Sequence, residues 1–416
     1  MTIPQVVAAF VDREFPRETQ FLAELVKVPS DNPPGDCAVH AKRARQLLER
    51  LDLAVEAHDV PRSAVEAAGM KSVTNLIVRH RFGDGPVVAL NAHGDVVPPG
   101  LGWRLDPYGA VIEASAGGPV MYGRGVAVSK SDFSTYTWAL LALRAAVAEG
   151  ATLDGTLELH FTYDEEAGGI LGPKWLLAQR LVRPDIAIAA GFSYAVVTAH
   201  NGCLHLEVTV TGRQAHAAMP TAGIDALEAA NSILSALYAH RTTLSRIRSA
   251  TAGIVSPTLN VGLIKGGINT NVVPDQVAFR IDRRVIPEED AIEVEAELRA
   301  LIATSAGHNP QIKVEVRRLL LAEPLRARPG TERIAAALQR RAQEVLGVEV
   351  PTAGVPLYTD ARHYAAAGIP TVLYGAGPRS IGEANAHNAD ENLRLGDLRA
   401  ATKIVAMAVA DLVGAR

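Results

Sequence analysis

The hydrophobic pattern alternates between helix-like and strand-like segments from the start of the chain to about Asn201. Apolar residues recur with helical spacing over 39–51. Short apolar runs typical of strands lie at 75–80 and 87–91, separated by the turn-forming Gly83-Asp84-Gly85, and at 156–163 and 185–190. The last two runs lack the polar alternation of a half-exposed strand and suit a covered sheet. This part of the chain predicts an α/β fold, a mostly parallel or mixed sheet covered by helices.

The pattern changes near Leu204, where apolar residues begin to alternate with polar ones, as in a strand with one solvated face. The segments that follow are a predicted helix at 224–240, strands at 258–264 and 276–285, a helix at 288–304 and a strand at 311–317. Because this order is a split βαβ arrangement, we predict a small α+β domain over 204–320. It is inserted into a larger domain made of 1–203 and 321–416.

Beyond Pro324 the α/β pattern returns. It predicts helices at 331–346 and 398–413 and a strand at 370–374, and Asp397 is placed to cap the start of the last helix.

Composition and charge narrow the class of protein. The chain has 416 residues, with 41 Lys+Arg against 45 Asp+Glu, and no long basic run, which argues against a nucleic-acid partner. Its two cysteines, Cys37 and Cys203, form no C-x-x-C motif, so neither a disulfide framework nor a thiolate zinc site is indicated. No apolar run approaches the roughly 18 residues of a membrane span. We expect a cytoplasmic protein, with no membrane partner, that acts on a small-molecule substrate.

Candidate chemistry follows three of the predicted strands. His93 and Asp95 end one strand, Glu165 and Glu166 follow another after Asp164, and His387 follows the strand at 370–374. Each set alone is an ordinary polar loop. Together they place imidazoles and adjacent carboxylates where ligands of an α/β sheet bind, and such side chains suit zinc, manganese or cobalt with an open position for water.

The chain also resembles the metallopeptidase family of acetylornithine deacetylase, succinyl-diaminopimelate desuccinylase, carboxypeptidase G and the aminoacylases. The segments that carry the resemblance are NAHGDVVP, GRGVAVSK, TYDEEAGG, AHNGCLHLEVTVTGRQAHAAMP, GGINTNVVPDQVAFRIDRR, YTDARHYAAAGIP and AHNADE, in that order. It implies a zinc-exopeptidase-like catalytic domain with a ferredoxin-like inserted domain that serves as a lid and for dimerisation. A homodimer formed through the inserted domain is therefore expected.

The resemblance also implies roles for individual residues. The metal ligands are His93, Glu166 and His387; Asp95 orients His93, and Glu165 is the general base. His216 of the inserted domain matches a histidine that stabilises the developing oxyanion, reaching the partner's site in dimeric relatives; a surface or capping role is the alternative. Substrate binding is implied for Asn271, Arg284 and Gly377.

Two positions depart from the family pattern. Val128 stands where G-R-G-x-x-D-x-K has the aspartate that bridges two metals, and Gly191 stands where an acidic ligand of the first metal is expected. Asp132 is the nearest replacement, and Ser193 and Tyr194 are weaker ones. We expect one divalent ion per chain, held by the two histidines and Glu166. That ion lies between the family's two metal positions, unless His93 is left to contact substrate.

Three functions remain open from the sequence. The leading one is metal-dependent hydrolysis of a C–N bond, the amide of an N-acyl amino acid or a small peptide. The chain also resembles a nitroanthranilate aminohydrolase of the same family, so hydrolytic removal of an amino group from an electron-poor aromatic amine is an alternative. The third is a non-catalytic relative that kept the fold after losing ligands at Val128 and Gly191.

Overall fold

The computed structural model describes residues 1–307, 309–380 and 382–414 and divides the chain into two compact units. The larger unit comprises Met1–Thr198, Ala327–Ala353 and Thr359–Arg416. The inserted unit comprises Ala199–Arg326 and the short segment Gly354–Tyr358.

The helices of the described residues are α1 (Ile3–Val26), α2 (Ala38–Glu49), α3 (Arg62–Ala67), α4 (Lys130–Ala148), α5 (Pro173–Ala178), α6 (Ala226–Leu244), α7 (Ala291–Ser305), α8 (Thr331–Leu346), α9 (Ala361–Ala366) and α10 (Leu395–Leu412). The strands are β1 (Val55–Asp59), β2 (Thr74–Arg81), β3 (Val87–His93), β4 (Val111–Glu113), β5 (Val120–Tyr122), β6 (Thr156–Thr162), β7 (Ile186–Ala189), β8 (Val196–His200), β9 (Gly202–Thr211), β10 (Thr258–Gly266), β11 (Gln276–Val285), β12 (Lys313–Ala322), β13 (Thr352–Val355), β14 (Thr371–Leu373) and β15 (Asn392–Arg394). Among these helices, none combines the length and apolar character that a membrane crossing needs.

A mixed sheet forms the centre of the larger unit, in the order β1-β2-β6-β3-β7-β14-β8-β13. Strands β6, β3, β7 and β14 run parallel, whereas β1 and β2 pair antiparallel at one side. Although β2 and β3 follow each other in the sequence, β6 lies between them. The predicted α/β fold with a mixed, helix-covered sheet is confirmed.

The description of 156–163 as lacking polar alternation is wrong, because strand β6 alternates apolar and polar residues and is buried on both faces. Leu157, Leu159 and Phe161 lie in the apolar core, and the intervening polar side chains are buried as well. His160 contacts the Glu158 carboxylate at 2.9 Å through Nε2, so this polar row is stabilised by its own partners.

Helix α10 begins earlier than the sequence indicates. The prediction that Asp397 caps the helix is wrong, because the chain enters α10 directly from β15 and the extended Arg394 is the N-cap. Asp397 lies in the first turn, where its Oδ1 accepts a 2.6 Å hydrogen bond from the Tyr194 hydroxyl.

The inserted unit contains an antiparallel sheet in the order β10-β11-β9-β12, with α6 and α7 between its strands in sequence. One face of β9 is buried in the apolar core of this unit: Leu204, Leu206, Val208 and Val210. Side chains of Asp225 and Asp290 cap α6 and α7 by accepting main-chain N–H groups. The order strand, helix, strand, strand, helix, strand agrees with the predicted split βαβ arrangement.

Candidate metal centre

The ends of two neighbouring parallel strands bring the first candidate residues together. His93 ends β3 and pairs in register with Thr162, which ends β6. The segments that continue from these strands, with Asp95 on one and Glu165 and Glu166 on the other, therefore emerge at the same edge of the sheet, where α/β proteins bind ligands.

His93 is fixed at both its main chain and its ring. Its N–H donates to Ser129 Oγ at 3.1 Å, and ring Nδ1 donates to the Asp95 main-chain oxygen at 2.9 Å. Nε2 lies 3.9 Å from a carboxylate oxygen of Glu165. Burial alone would lower the pKa of His93, but the Glu165 and Asp95 carboxylates raise it well above its usual value. Nε2 is thus the ring nitrogen that faces the acidic pair.

Asp95 organises the acidic turn as well as the histidine. Its carboxylate is fully buried and accepts the main-chain N–H groups of Glu165 at 3.2 Å and Glu166 at 3.1 Å. Asn32 Nδ2 donates to the same carboxylate at 2.9 Å. These contacts fix the turn that follows β6, so Asp95 positions His93 and both glutamates.

Potential ligand atoms of His93, Glu165 and Glu166 lie within 4.8 Å of one another. Burial is the largest cause that raises the pKa of Glu165 well above its usual value, and the neighbouring Glu166 adds to this while His93 opposes it. Glu166 Oε1 is buried, and His387 Nε2 lies 3.2 Å from it. A buried carboxylate oxygen between imidazoles and beside a second carboxylate fits a divalent ion.

His387 contacts the same glutamate from a different part of the chain. Its Nε2 lies 3.2 Å from Glu166 Oε1, and its side chain is half-exposed. The Glu166 carboxylate raises the pKa of His387. His387 is not part of the 4.8 Å group around His93, so Glu166 is the residue common to both histidine contacts.

Backbone packing explains the absence of a side chain at position 191. A Cβ atom on Gly191 would lie 2.7 Å from the main-chain nitrogen of Tyr374 and 2.8 Å from the carbonyl carbon of Leu373. The N–H of Gly377 donates to the Gly191 oxygen at 2.9 Å, so this N–H is already paired within the protein. An acidic side chain at position 191 therefore requires the backbone to move.

Asp132 extends from the first turn of α4 into this region. Its Oδ2 accepts the Gly191 N–H at 3.3 Å, and its Oδ1 accepts the Ala376 N–H at 2.7 Å. Burial raises the pKa of Asp132 to about 7, although both N–H groups and His93 lower it. Asp132 thus binds the backbone at the position of the missing ligand and lies outside the 4.8 Å group. Ser193 and Tyr194 are bonded elsewhere, to the Gly375 oxygen and to Asp397.

Asp360 is a further acidic residue near the site, and no role was predicted for it from the sequence. Asp360 lies in the segment YTDARHYAAAGIP, and its Oδ2 accepts a 3.1 Å hydrogen bond from Thr162 Oγ1. Burial raises its pKa to about 7, lowered in part by His93 and raised further by Asp95. Asp360 Oδ1 and Asp164 Oδ1 are both buried without a hydrogen-bond partner. Asp360 lies in one of the segments that carry the family resemblance, which could have marked it as a candidate. Only the folded structure shows that it lies against β6.

A buried ion pair supports the loop that carries Val128. Arg124 Nη1 donates to Glu391 Oε2 at 2.6 Å, and each side chain is 1% exposed. Glu391 Oε1 accepts the N–H groups of Ala127 at 3.0 Å and Val128 at 3.1 Å. The segments GRGVAVSK and AHNADE are therefore joined by a contact that the sequence analysis missed.

The remaining candidates lie in the inserted unit. His216 is exposed, and its Nδ1 accepts the Ala218 N–H at 3.1 Å. The main-chain oxygen of Asn271 accepts the Ala217 N–H at 3.0 Å, so the loops of His216 and Asn271 are adjacent. Arg284 lies on β11, where Nε and Nη2 donate to the Asp282 carboxylate.

Comparison with known proteins identifies the family. Residues 89–411 match the peptidase family M20/M25/M40, and the chain belongs to this family. It is 27% identical to succinyl-diaminopimelate desuccinylase of Wolinella succinogenes over 403 residues, which covers 94% of this chain and 98% of that protein.

Solved structures show the same fold. The di-peptidase Dug1p of Saccharomyces cerevisiae matches with a TM-score of 0.77 at 15% identity, covering 99% of both chains. The M20 family metallo-carboxypeptidase Sso-CP2 of Sulfolobus solfataricus matches with a TM-score of 0.75 at 18% identity, covering 94% of this chain and 98% of that one.

Family membership settles the general class of reaction. M20 family members bind divalent metal ions, and the protein is a hydrolase that acts on C–N amide bonds. The site residues described above carry the chemical groups that such a reaction needs.

Proposed function

We propose that this protein hydrolyses the amide bond of an N-acyl amino acid or small peptide by means of water activated at a single metal centre. The observation that carries the proposal is the group formed by His93, Glu165 and Glu166, whose ligand atoms lie within 4.8 Å of one another. Succinyl-diaminopimelate desuccinylase of Wolinella succinogenes, the relative described above, points to acylated amino acids.

In this proposal Glu165 is the general base. Its carboxylate faces His93 Nε2, and burial raises its pKa, which brings a carboxylate closer to the proton affinity needed to accept a proton from water. Once protonated, Glu165 can deliver that proton to the leaving nitrogen. The Asp95 carboxylate keeps Glu165 in place by accepting the main-chain N–H of Glu165.

His93, Glu166 and His387 would hold the ion. When bound, a divalent ion lowers the pKa of coordinated water and polarises the substrate carbonyl. The support for one ion is the side chain of Val128, which offers no ligand atom, together with the close packing around Gly191. Zinc, manganese and cobalt all suit this mixture of nitrogen and oxygen ligands.

The inserted unit is proposed to bind and orient the substrate. Asn271 and Arg284 are the groups assigned to its carboxylate end or carbonyl, and His216 is assigned to the developing oxyanion. Gly377 remains a proposed substrate contact, although its N–H is paired with the Gly191 oxygen and its own oxygen accepts the Ser193 N–H. The cytoplasmic location and the homodimer formed through the inserted domain are further parts of the proposal.

The test is a screen of N-acyl amino acids, dipeptides and electron-poor aryl amines with metal-loaded protein, following new amino groups and ammonia separately. We expect amide turnover that Glu165→Gln lowers by about 10²–10⁴-fold while metal content is retained. Glu149→Gln, at an exposed position, is the matched control and should keep full activity. Ammonia release from aryl amines without amide turnover, or full activity in Glu165→Gln, would overturn the proposal.

A further inference from the structure

A second group of potential metal ligands lies in the inserted unit. Cys203 and His205 are on β9, and Asp282 is on the neighbouring strand β11 directly opposite His205. Residues at alternate positions of a strand point to the same face. Cys203 and His205 therefore share the face opposite to the one that carries Leu204 and Leu206 into the core.

The three ligand atoms already have nearly the separations of a zinc site. Cys203 Sγ lies 3.2 Å from His205 Nε2, which lies 3.2 Å from Asp282 Oδ2, and Sγ lies 3.9 Å from Asp282 Oδ1. Tetrahedral zinc with one sulfur, one nitrogen and one oxygen ligand separates these atoms by roughly 3.4–3.6 Å. Small rotations of the three side chains would let one ion lie within bonding distance of the sulfur, the nitrogen and the carboxylate oxygen.

Hydrogen bonds already link the three side chains, and an ion would replace them. Cys203 Sγ donates to Asp282 Oδ1 at 3.9 Å, and His205 Nε2 lies 3.2 Å from both Cys203 Sγ and Asp282 Oδ2. A neutral imidazole nitrogen carries one proton or one lone pair, so Nε2 cannot make a full hydrogen bond to each of these two atoms. A cation between the three atoms would contact all of them at once.

A neighbouring arginine holds the carboxylate in place. Arg284 donates to Asp282 Oδ1 at 2.9 Å and to Oδ2 at 3.0 Å, and each oxygen keeps a second lone pair. Hydrogen bonds of this kind to a ligating carboxylate are usual in metal sites.

The site is also accessible. Cys203 is buried, whereas the side chains of His205 and Asp282 are 36% and 31% exposed. An ion can enter from the half-exposed side, and water can complete four-coordination there.

From this geometry we infer that Cys203, His205 and Asp282 bind one zinc ion, separate from the centre at Glu166. A thiolate, an imidazole and a carboxylate form a ligand set suited to zinc. Because its ligands come from two paired strands, the ion would fix the register of β9 against β11 and the position of Arg284. Binding requires the thiolate, so it releases the Cys203 proton to solvent.

Cobalt(II) gives a signal specific to this site, because a thiolate bound to cobalt produces a charge-transfer absorption in the near ultraviolet. The full chain, stripped with chelator and reloaded with cobalt, should show this band. Cys203→Ser should remove it, while Cys37→Ser should keep it, since these are the two cysteines of the chain. Glu166→Gln, at the other centre, should also keep it.

A second variant tests the same site in case Cys203→Ser fails to fold. His205→Asn changes a half-exposed residue, and it should weaken zinc binding at this site at least tenfold in chelator competition while the circular dichroism is unchanged. Absence of the cobalt band in the folded wild-type chain, or a band that survives in Cys203→Ser, would overturn the inference.

Discussion

The Asp132 carboxylate accepts the main-chain N–H of Gly191, the residue that stands at the position of the family's first-metal acidic ligand. A carboxyl group is thus still present near this position, but it comes from α4 and binds the backbone. Asp132 therefore joins the segments of Gly191 and Ala376 through its two carboxylate oxygens.

Replacing Asp132 should therefore affect stability more than metal binding. Asp132→Ala leaves the buried N–H groups of Gly191 and Ala376 without an acceptor, and we expect a loss of about 1–3 kcal/mol in the free energy of unfolding. Asp132→Asn keeps one acceptor oxygen and should lose less. Urea denaturation and elemental analysis check this; a fall in bound metal in folded Asp132→Asn would show that Asp132 is a ligand.

Close packing at Gly191 predicts that even a methyl group is costly. In Gly191→Ala the new Cβ would lie 2.7 Å from the Tyr374 nitrogen, so the backbone must shift. We expect destabilisation of about 1–3 kcal/mol, the range of overpacked sites. Gly396→Ala is the matched control, because no heavy atom lies within 4 Å of that Cβ and the residue lies in α10. Equal stability of the two variants in urea denaturation would contradict the packing argument.

The Arg124–Glu391 pair should be essential for folding of the loop around Val128. Arg124→Met removes one partner of a buried pair and should lower the free energy of unfolding by ~3–5 kcal/mol. Adding Glu391→Gln removes the unpaired charge, so the double variant should be less destabilised than the sum of the single ones. Urea denaturation of the three variants measures this coupling, and additive effects would show that the pair is not coupled.

Glu18 predicts a pH dependence far from the metal centre. The residue is fully buried, its Oε1 accepts a 2.5 Å hydrogen bond from Thr402, and burial raises its pKa well above 4.5. The folded state thus binds this proton more tightly than the unfolded state. The contribution of protonated Glu18 to the free energy of unfolding is therefore fully present below about pH 4.5, and it is lost as the pH rises through the folded-state pKa.

Glu18→Gln removes this ionisation and should be more stable than wild type at pH 8. We expect this gain to shrink as the pH falls toward 4.5, because Glu18 is then protonated in the folded state and increasingly protonated in the unfolded state. Unfolding curves at several pH values check it. A difference that is independent of pH would show that Glu18 does not titrate as described.

The strand ends were predictable because their chemistry is local in sequence. His93, Asp95, Glu165 and Glu166 follow apolar strands, and parallel pairing of β3 and β6 brings them together. Helix α4 was not predicted, because it is buried nearly all round from Lys130 to Leu143 and lacks an amphipathic pattern.

Contacts between distant segments could not be predicted. Arg124 and Glu391, like Thr162 and Asp360, meet only once the sheet has formed. Asp132 was singled out by its position near Val128, yet its partners, Gly191 and Ala376, come from loops that spacing does not connect. Likewise, Cys203 has no C-x-x-C partner, and of its two neighbours His205 is on β9 itself whereas Asp282 comes from the paired strand β11.

In the proposed function, a single metal ion bound at Glu166 supports amide hydrolysis. The most direct measurement is elemental analysis of metal per chain in Cys203→Ser, which removes the second proposed ion, with and without Glu166→Gln. We predict about one divalent ion in Cys203→Ser, and less than about a tenth of that in the double variant. Two ions per chain, or one ion that persists without Glu166, would contradict it.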